Sequence, residues 1–406
     1  MILAPRRQDW TEALDCKTHV VIVCPGCGGS GAVGNVAVHH AVELAKQFSV
    51  TLISDGFPAG DLPGVTTVGI RPARFGMLRR FAHVPNEIAF ALRARAAITA
   101  LHARLPVDFL LCHGHPMATL AARPVKRKCG VPYGLVTHGD IFDRPKGTYD
   151  PRLTWFYKQV TATAYRNADL VVALSPHMAE LARRGGARPD RIVVIPNGID
   201  PAEIGLDASE TVAPRTSGDR LELLYVGRLS VEKGVDVLLG AAEILRDRGV
   251  NFGLRIVGVG PERSRLCARI GRAQLGPMVR MLENVDRRAL GPLYRSVDLV
   301  CVPSRSDTLP TVVLEAMAAS AVVVGTDVGG IPYMVKHGVT GVVCAPDSAW
   351  AFAEALVDLA SHPDAIQRMR RAAGLKATAD FSWARVGQAL QQAIRTHLPT
   401  SSASET

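Results

Sequence analysis

The sequence is poor in aromatic side chains, which make up 5% of its 406 residues. Proteins that hold single-stranded nucleic acid stack bases on such rings, so this scarcity argues against a nucleic-acid partner. No apolar run approaches the roughly 20 residues that cross a bilayer as a helix. The first ten residues, MILAPRRQDW, also lack the apolar region of a signal peptide. We therefore expect a cytoplasmic protein.

The cysteine spacing of a zinc site is also missing. The eight cysteines include one C-x-x-C pair, Cys24 and Cys27, without a second pair at zinc-binding spacing. The cluster at 112–115, CHGH, is too compact for a standard site. Several cysteines lie in or beside apolar strand-like runs, which suits free thiols in a reducing compartment. We expect no bound metal.

Positive charge, in contrast, is in excess: 47 Lys and Arg stand against 37 Asp and Glu, a formal net charge of +10. Phosphorylated ligands and anionic membrane surfaces both attract such a chain. The basic segments 71–80 and 123–128 lie in the first half. Two interpretations stay open. Either these segments bring the protein to the inner membrane surface as a peripheral protein, or the basic residues are merely scattered over a fully soluble one.

Apolar, β-branched runs alternate with helical segments twice along the chain, first over 19–195 and again over 221–344. Strands separated by helices predict parallel sheets covered on both faces. The sequence therefore predicts an α/β protein with two doubly wound, Rossmann-like domains facing a central cleft. Its expected parts are a first domain, a linker without periodicity, a second domain, and a helix with a frayed tail, at 1–200, 201–220, 221–382 and 383–406.

One glycine pattern supports a competing function. Gly26, Gly28 and Gly31 follow the first predicted strand, and Asp55 ends the second, as in a dinucleotide-binding fingerprint. Glycine-rich turns of this kind also serve phosphate or acceptor sites without any nicotinamide. An NAD-dependent oxidoreductase is the alternative from a different functional class.

The stretch 304–321, SRSDTLPTVVLEAMAASA, points elsewhere. Asp307 and Glu315 bracket seven residues that change from polar to apolar. Pro310 suits the first position of a helix. The free N–H groups at such a helix start would cradle a diphosphate, and the two carboxylates would accept hydrogen bonds from hydroxyl groups. Hydroxyls flanking a phosphate describe a nucleotide-sugar.

Two cations are predicted at the same sheet edge. Arg228 and Lys233 lie on the strand-to-helix loop VGRLSVEKG that opens the second domain. An Arg and a Lys placed there can neutralise a departing diphosphate. Taken with the two acids, they make the nucleotide-sugar interpretation specific.

Four motifs in this order resemble the retaining glycosyltransferases of family 4, also called glycosyl transferases group 1, which have the GT-B fold. They are VIPNGID, VGRLSVEKG, IVGVGPE and PSRSDTLPTVVLEAMA, at 194–200, 226–234, 256–262 and 303–318. The resemblance spans about residues 19 to 385.

The resemblance implies roles for individual residues. Arg228 and Lys233 match the cations on the donor diphosphate, and Glu315 matches the acid that binds the ribose. Asp307 matches the acid that contacts sugar hydroxyls, although the family typically has Glu there. His138 matches a histidine near the donor sugar. The remaining donor-binding positions are Gly227, Gly258, Gly260, Leu309, Pro310 and Thr311, and the acceptor and phosphate loop is Gly28, Gly29, Ser30 and Gly31.

The resemblance also implies the reaction. We expect transfer of a sugar from a UDP- or GDP-sugar, with retention and without metal or other cofactor, to a hydroxyl of a glycan, glycolipid or small molecule. Polysaccharide biosynthesis is one such setting. A nucleotide-sugar epimerase or hydrolase on the same fold is the alternative within this class. The sequence also departs from the family pattern at Ser320, where Gly is frequent.

Overall fold

The computed structural model describes residues 17–28, 32–58, 60–71, 83–114, 116–139, 141–143, 150–207 and 220–398. The chain folds into two compact units. The first contains the chain up to Pro196 together with the chain from Val386 onward, and the second contains Asn197–Arg385. No helix among the described residues has both the length and the apolar content needed to span a membrane.

In the first unit, seven parallel strands form one sheet in the order β3-β2-β1-β4-β5-β6-β7. The strands are β1 (His19–Val23), β2 (Ser49–Ser54), β3 (Val65–Gly69), β4 (Phe109–Gly114), β5 (Tyr133–Thr137), β6 (Leu170–Ala173) and β7 (Ile192–Val194). The helices between them are α1 (Ala32–Ala45), α2 (His83–His102), α3 (Thr119–Cys129), α4 (Pro151–Asn167) and α5 (Pro176–Arg184).

In the second unit, six parallel strands form a sheet in the order β10-β9-β8-β11-β12-β13. The strands are β8 (Leu221–Val226), β9 (Phe252–Val257), β10 (Val279–Leu282), β11 (Leu299–Val302), β12 (Val322–Thr326) and β13 (Gly341–Cys344). The helices are α6 (Val235–Asp247), α7 (Arg263–Arg272), α8 (Leu290–Arg295), α9 (Thr311–Ala318), α10 (Ile331–Met334), α11 (Ala349–Ser361) and α12 (Pro363–Phe381), and α13 (Trp383–His397) follows.

The central strands explain why the alternation could be read from the sequence. All five residues of β1, HVVIV, are buried, and all four of β11, LVCV, are buried too. A strand covered on both faces needs continuous apolar residues, and β-branched ones suit the pleated sheet. The two sheets confirm the predicted α/β class with two doubly wound units. The sequence did not reveal β3, a half-buried edge strand with the sequence VTTVG.

The first part of the predicted linker is ordered and packs on the second unit. Residues 201–204 form a short 3-10 helix, whose start is capped by the Asp200 carboxylate accepting from Ala202 N–H at 3.0 Å. Ile204 is fully buried, and a Cβ on Gly205 would lie 1.8 Å from the Arg288 carbonyl oxygen. Residues 208–219 lie outside the described part of the chain.

The C-terminal helix brings the chain back to the first unit. The Gln391 side chain on α13 donates a hydrogen bond of 2.8 Å to the Glu43 carbonyl oxygen on α1. A Cβ on Gly387 would lie 2.5 Å from Cβ of Glu43, so α13 and α1 are in close contact. The predicted frayed tail beyond residue 398 lies outside the described residues.

The strand order reverses at one point in each sheet, between β1 and β4 and between β8 and β11. In open parallel sheets, ligands bind at the carboxyl ends of the strands at such a point. The loops that follow β8 and β11 are 227–234 and 303–310, which hold the predicted donor-binding cations and Asp307. The topology therefore places these residues where a ligand is expected.

Ser320 adopts the left-handed conformation that the glycine of the family pattern would take freely, with φ of +54°. This conformation costs a residue with a side chain roughly 1–2 kcal/mol, and glycine loses roughly 0.5–1 kcal/mol more backbone entropy on folding. Ser320→Gly should therefore raise the free energy of unfolding by about 0.5–1 kcal/mol, measured by urea denaturation. Ala319→Gly, at φ of −78°, is the matched control and should destabilise. A less stable Ser320→Gly protein would contradict the assignment of strain.

Candidate functional site

Three loops at the carboxyl edge of the second sheet touch through their backbones. A Cβ on Gly258 would lie 1.9 Å from the Gly227 carbonyl oxygen. A Cβ on Gly234, where φ is +65°, would lie 2.0 Å from the Pro303 carbonyl oxygen. No side chain fits at either position, since real Cβ contacts are longer. The glycines therefore let the loops after β8, β9 and β11 converge.

The predicted cation and the first predicted acid are in direct contact. Nζ of Lys233 lies 2.5 Å from Oδ2 of Asp307, and the Ser304 hydroxyl donates to the same oxygen at 3.3 Å. Both charged side chains keep some exposure, 28% for Lys233 and 12% for Asp307. The pair is therefore in contact and remains reachable from solvent.

A fixed backbone turn supports the Asp307 side chain. A Cβ on Gly329, where φ is +54°, would lie 1.6 Å from the Asp307 carbonyl oxygen, and Gly330 N–H donates to that oxygen at 3.1 Å. The loop after β12 thus presses against the backbone of the acid. Its glycines lie in the stretch VGGIPYMVKHGVTGVV, whose function the sequence alone did not specify.

Arg228 is exposed just after β8, and a side chain of that strand holds its backbone carbonyl group. The Tyr225 hydroxyl donates to the Arg228 carbonyl oxygen at 2.8 Å. Burial, together with the negative charges of Asp307 and Glu232, raises the pKa of Tyr225, so the hydroxyl stays a donor. The exposed Arg228 side chain lies on the same loop as Lys233.

Glu315 is 4% exposed on α9, and both its oxygens have partners. The Tyr294 hydroxyl donates to Oε2 at 2.9 Å, and Nη1 of Arg287 lies 3.2 Å from Oε1. Arg287 also bonds Glu203 at 2.9 Å. Burial and the Glu315 charge raise the pKa of Tyr294, which keeps it protonated. The predicted ribose-binding acid is therefore held by two residues that no sequence pattern identified.

The helix start differs by one residue from the prediction. Pro310 precedes α9 as its cap residue, with φ of −65° and ψ of 118°, and Thr311 is the first helical residue. The expected position of Pro310 inside the helix was wrong, because its extended ψ places it in the preceding loop. The first N–H groups of a helix have no intrahelical partner, so those of Thr311 and Val312 could bind an anionic group. Leu309 beside them is buried.

Arg305 links the loops of the site, although no sequence pattern identified it. Its guanidinium bonds both oxygens of Asp236, at 2.7 and 2.8 Å, and Oδ1 of Asp347 at 2.7 Å. It also donates to the Val231 carbonyl oxygen at 2.8 Å. These hydrogen bonds lower the pKa of Asp236 and raise that of Arg305. The loop of Asp307 is thereby fixed to the loop that carries Lys233, to the start of α6 and to the segment after β13.

In the first unit, the glycine pattern has a structural explanation. Gly26 N–H donates to Oδ1 of Asp55 at 2.7 Å, so this carboxylate caps the turn itself. A Cβ on Gly28 would lie 2.5 Å from the Phe57 carbonyl oxygen. Among the predicted acceptor-loop residues, Gly28 is described, whereas Gly29, Ser30 and Gly31 lie outside the described residues. The acid of the dinucleotide-binding pattern thus has a structural role, because it holds the glycine-rich turn.

His138 follows β5 and is partly buried beside another histidine. Its Nε2 lies 3.1 Å from Nδ1 of His113, and Nε2 of His113 lies 3.4 Å from Nδ1 of His40. Burial lowers the pKa of His138 to about 4 and, with the neighbouring histidines, that of His40 to about 3. It lowers the pKa of His113 well below 6.5. All three rings are therefore neutral at physiological pH.

The arrangement of His, Cys, Asp and Glu side chains bears on whether the described residues could hold a metal ion. Over the described ranges, no group of three or more His, Cys, Asp or Glu side chains is arranged to hold a metal ion. Cys24, Cys27 and Cys112 are buried free thiols. The C-x-x-C pair and the described part of the 112–115 cluster thus belong to the core.

Two family models match the chain. A glycosyl transferase 4-like domain matches residues 31–198, and the glycosyl transferases group 1 model matches residues 210–376. The first match covers strands β2 to β7 and helices α1 to α5 of the first unit, whereas β1 precedes it. The second covers the loops that hold Arg228, Lys233 and Asp307, and the helix α9 that holds Glu315.

Two relatives are similar to this chain over different lengths. The D-inositol 3-phosphate glycosyltransferase of Kribbella flavida is 32% identical over 414 residues, which cover 93% of this chain and 94% of that protein. The glycogen synthase of Mycobacterium tuberculosis is 32% identical over 263 residues, 64% of this chain and 62% of that protein. The chain therefore spans less than two thirds of the glycogen synthase.

A solved structure matches over nearly the whole chain. The Anabaena protein HepE in complex with UDP-glucose superposes with a TM-score of 0.69 at 18% identity, over 93% of this chain and 99% of HepE. This likeness confirms the GT-B fold that the motifs implied.

The neutral histidines predict that the protein loses stability in mild acid. Unfolded histidine binds a proton below pH 6.5, whereas the folded rings resist protonation until about pH 4 and 3. The free energy of unfolding should thus fall as pH drops from 6.5 to 4, by up to about 1.4 kcal/mol per pH unit for each ring. Urea denaturation at pH 7.5, 6 and 5 measures this slope. His113→Asn should reduce it, because one of the three buried rings is removed; a slope unchanged by His113→Asn would contradict the assignment.

Proposed function

The chain belongs to the group 1 glycosyltransferases, and we propose that it moves a sugar from a UDP-sugar to a hydroxyl group of an acceptor. HepE, which shares the fold, was solved with UDP-glucose, and this favours UDP over GDP as the donor nucleotide. Family membership replaces the oxidoreductase alternative, whose key acid, Asp55, is used to cap a turn.

One observation carries the proposal: opposite charges are gathered around the start of α9. Lys233 and Asp307 are in contact at 2.5 Å, Arg228 lies on the same loop as Lys233, and Glu315 lies one turn into the helix. Cations and free helix N–H groups suit phosphates, and carboxylates suit hydroxyls. A nucleoside-diphosphate sugar is the ligand that carries both kinds of group.

The donor's parts can be assigned to these residues. Glu315, held by Tyr294 and Arg287, is the acceptor for the ribose hydroxyls. Lys233 and Arg228 would neutralise the diphosphate, with Leu309 and Thr311 supplying backbone N–H groups. Asp307 would bind sugar hydroxyls. Because the Asp side chain is one methylene shorter than the usual Glu, it reaches less far toward the sugar.

We propose that transfer retains the anomeric configuration. The bond between the sugar C1 and the β-phosphate oxygen breaks, and the acceptor oxygen forms a bond to C1 from the same face. The acceptor proton passes to the departing phosphate oxygen. Lys233, Arg228 and the α9 N-terminus stabilise the growing charge on the diphosphate. An epimerase or hydrolase would use the same donor contacts and differ in its product.

The same charges support a metal-independent reaction. A divalent ion in phosphoryl chemistry neutralises charge and orients oxygens, and two fixed cations with helix N–H groups offer both effects. The described residues lack a cluster of three or more acids, histidines or cysteines that could hold such an ion. No other cofactor enters the proposed reaction.

The acceptor side is proposed to lie near an anionic membrane surface. The basic segment 123–128 belongs to α3, where Arg127 and Lys128 are exposed while Lys126 is paired with Asp169 at 2.6 Å. In the same unit, Trp155 on α4 is 64% exposed and Leu92 on α2 is 51% exposed. Basic and apolar side chains together suit a glycolipid acceptor. Residues 72–80, the other basic segment, lie outside the described residues.

The donor assignment predicts binding and turnover together. UDP-glucose should raise the melting temperature more than GDP-mannose or NADH does. Lys233→Ala and Arg228→Ala should each lower sugar transfer at least ~100-fold, the scale of losing one partner of the transition-state charge. Release of UDP from UDP-glucose, with product analysis for retention, measures this.

Arg280→Ala, which removes an exposed cation of the same unit on β10, is the matched control. It should keep full activity, and EDTA should leave turnover of the unchanged protein intact. A loss of only two- or three-fold in both site variants would overturn the donor assignment. Restoration by Mg²⁺ after EDTA treatment would overturn the metal-independent reaction.

Membrane association predicts salt-sensitive binding to anionic vesicles. The protein should sediment with phosphatidylglycerol vesicles at low salt and much less at physiological salt, because screening weakens the attraction. The double variant Arg127→Ala, Lys128→Ala should bind less. Neutral phosphatidylcholine vesicles are the control. If the protein stays in the supernatant with anionic vesicles at low salt, the membrane proposal is wrong and a small soluble acceptor is favoured.

A further inference from the structure

Three histidines from three separate elements form a continuous chain in the first unit. His40 lies on α1, His113 on β4, and His138 directly after β5. The facing ring nitrogens are 3.4 Å apart between His40 and His113 and 3.1 Å apart between His113 and His138. The ring centroids are 5.0 and 5.3 Å apart. The chain runs from the core, where His40 and His113 are fully buried, to the partly exposed His138.

The geometry is that of rings bonding one another. Each contact joins Nδ1 of one ring to Nε2 of the next, so the nitrogens point along the chain. Ligands of a metal ion would instead converge on one point, and no metal-holding group occurs among the described residues. Because the three rings are neutral, each carries a single N–H and a single bare nitrogen.

This chemistry leaves two arrangements of the protons. In one, His40 donates from Nδ1 to His113, and His113 donates from Nδ1 to His138. In the other, His138 donates from Nε2 to His113, and His113 donates from Nε2 to His40. Every ring carries its proton on Nδ1 in the first arrangement and on Nε2 in the second. Any mixture places two N–H groups or two bare nitrogens against each other, which a buried contact does not tolerate.

We propose that His40 and His113 are positioning residues that fix the tautomer of His138, with all three rings always in the same tautomer. Nε2 of His138 is bonded to His113, so Nδ1 is the ring nitrogen that remains for another partner. That atom is a donor in the first arrangement and an acceptor in the second. Histidines that touch no substrate thereby decide which hydrogen bond His138 offers to the donor sugar. Only this last step rests on the proposed function.

The direct test is NMR of the ligand-free protein with 15N-labelled histidine at pH 7.5. Long-range proton–nitrogen correlations show which nitrogen of each ring carries the proton, and single variants assign the three signals. We expect one tautomer shared by His40, His113 and His138. Two rings with different tautomers, or a positively charged ring at this pH, would overturn the proposal.

Variants of His40, at the buried end of the three-histidine chain, test whether its state is coupled to the tautomer of His138. His40→Leu should change the tautomer ratio of His138, although His40 does not contact that ring. It should also lower the turnover of UDP-glucose about 10-fold, which is the lower end of the cost of losing an orienting partner of a functional histidine. The KM for UDP-glucose should stay within about twofold. His40→Asn, whose amide takes the place of Nδ1, should restore much of the loss. His39→Gln, on the same helix but not one of the three bonded histidines, should leave the His138 tautomer ratio and the turnover unchanged.

These outcomes separate the two proposals. If His40→Leu folds and leaves the His138 signals unchanged, the coupling is wrong even if the protein transfers sugar. If the three tautomers agree and respond to His40→Leu but UDP-glucose is not turned over, the proposed function is wrong and the coupling stands. Should His40→Leu not fold, the wild-type spectrum and His40→Asn decide the question.

Discussion

Backbone contact at the carboxyl edge of the second sheet is the constraint on which the donor site depends. The loops after β8, β9 and β11 approach so closely that Gly234 and Gly258 leave no space for a Cβ, and the loop after β12 presses Gly329 against Asp307 in the same way. A side chain at any of these positions would push two loops apart. The charges of Lys233 and Asp307 meet because the backbones beneath them already do.

The charged groups of this site are held in place by neighbouring side chains. Asp307 bonds Lys233, Glu315 bonds Tyr294 and Arg287, and Arg305 spans Asp236 and Asp347. Preorganised groups need little rearrangement during the reaction, which is the main source of electrostatic stabilisation in enzymes. One exchange is nevertheless required. In the proposed reaction, an arriving diphosphate would compete with Asp307 for Lys233, and the freed carboxylate would then be available to sugar hydroxyls.

The two units solve the problem of buried ionisable groups in opposite ways. In the second unit, burial is combined with an opposite charge, as for Glu315 beside Arg287. In the first unit, His40, His113 and His138 are packed against one another, and burial lowers their pKa values and keeps the rings neutral. The first unit thus offers directional hydrogen bonds, and the second offers electrostatic attraction.

The sequence by itself determined the two α/β units, the loop that carries Arg228 and Lys233, and the spacing of Asp307 and Glu315. Each of these features is visible as a local periodicity or as a short spacing of residues. Tertiary structure alone decided the partners of those residues. Tyr294 and Arg287 reach Glu315 from another helix and loop, and His40 and His138 meet through His113 although 98 positions separate them. Such contacts depend on how strands and helices pack, and packing brings together residues whose spacing along the chain carries no signal.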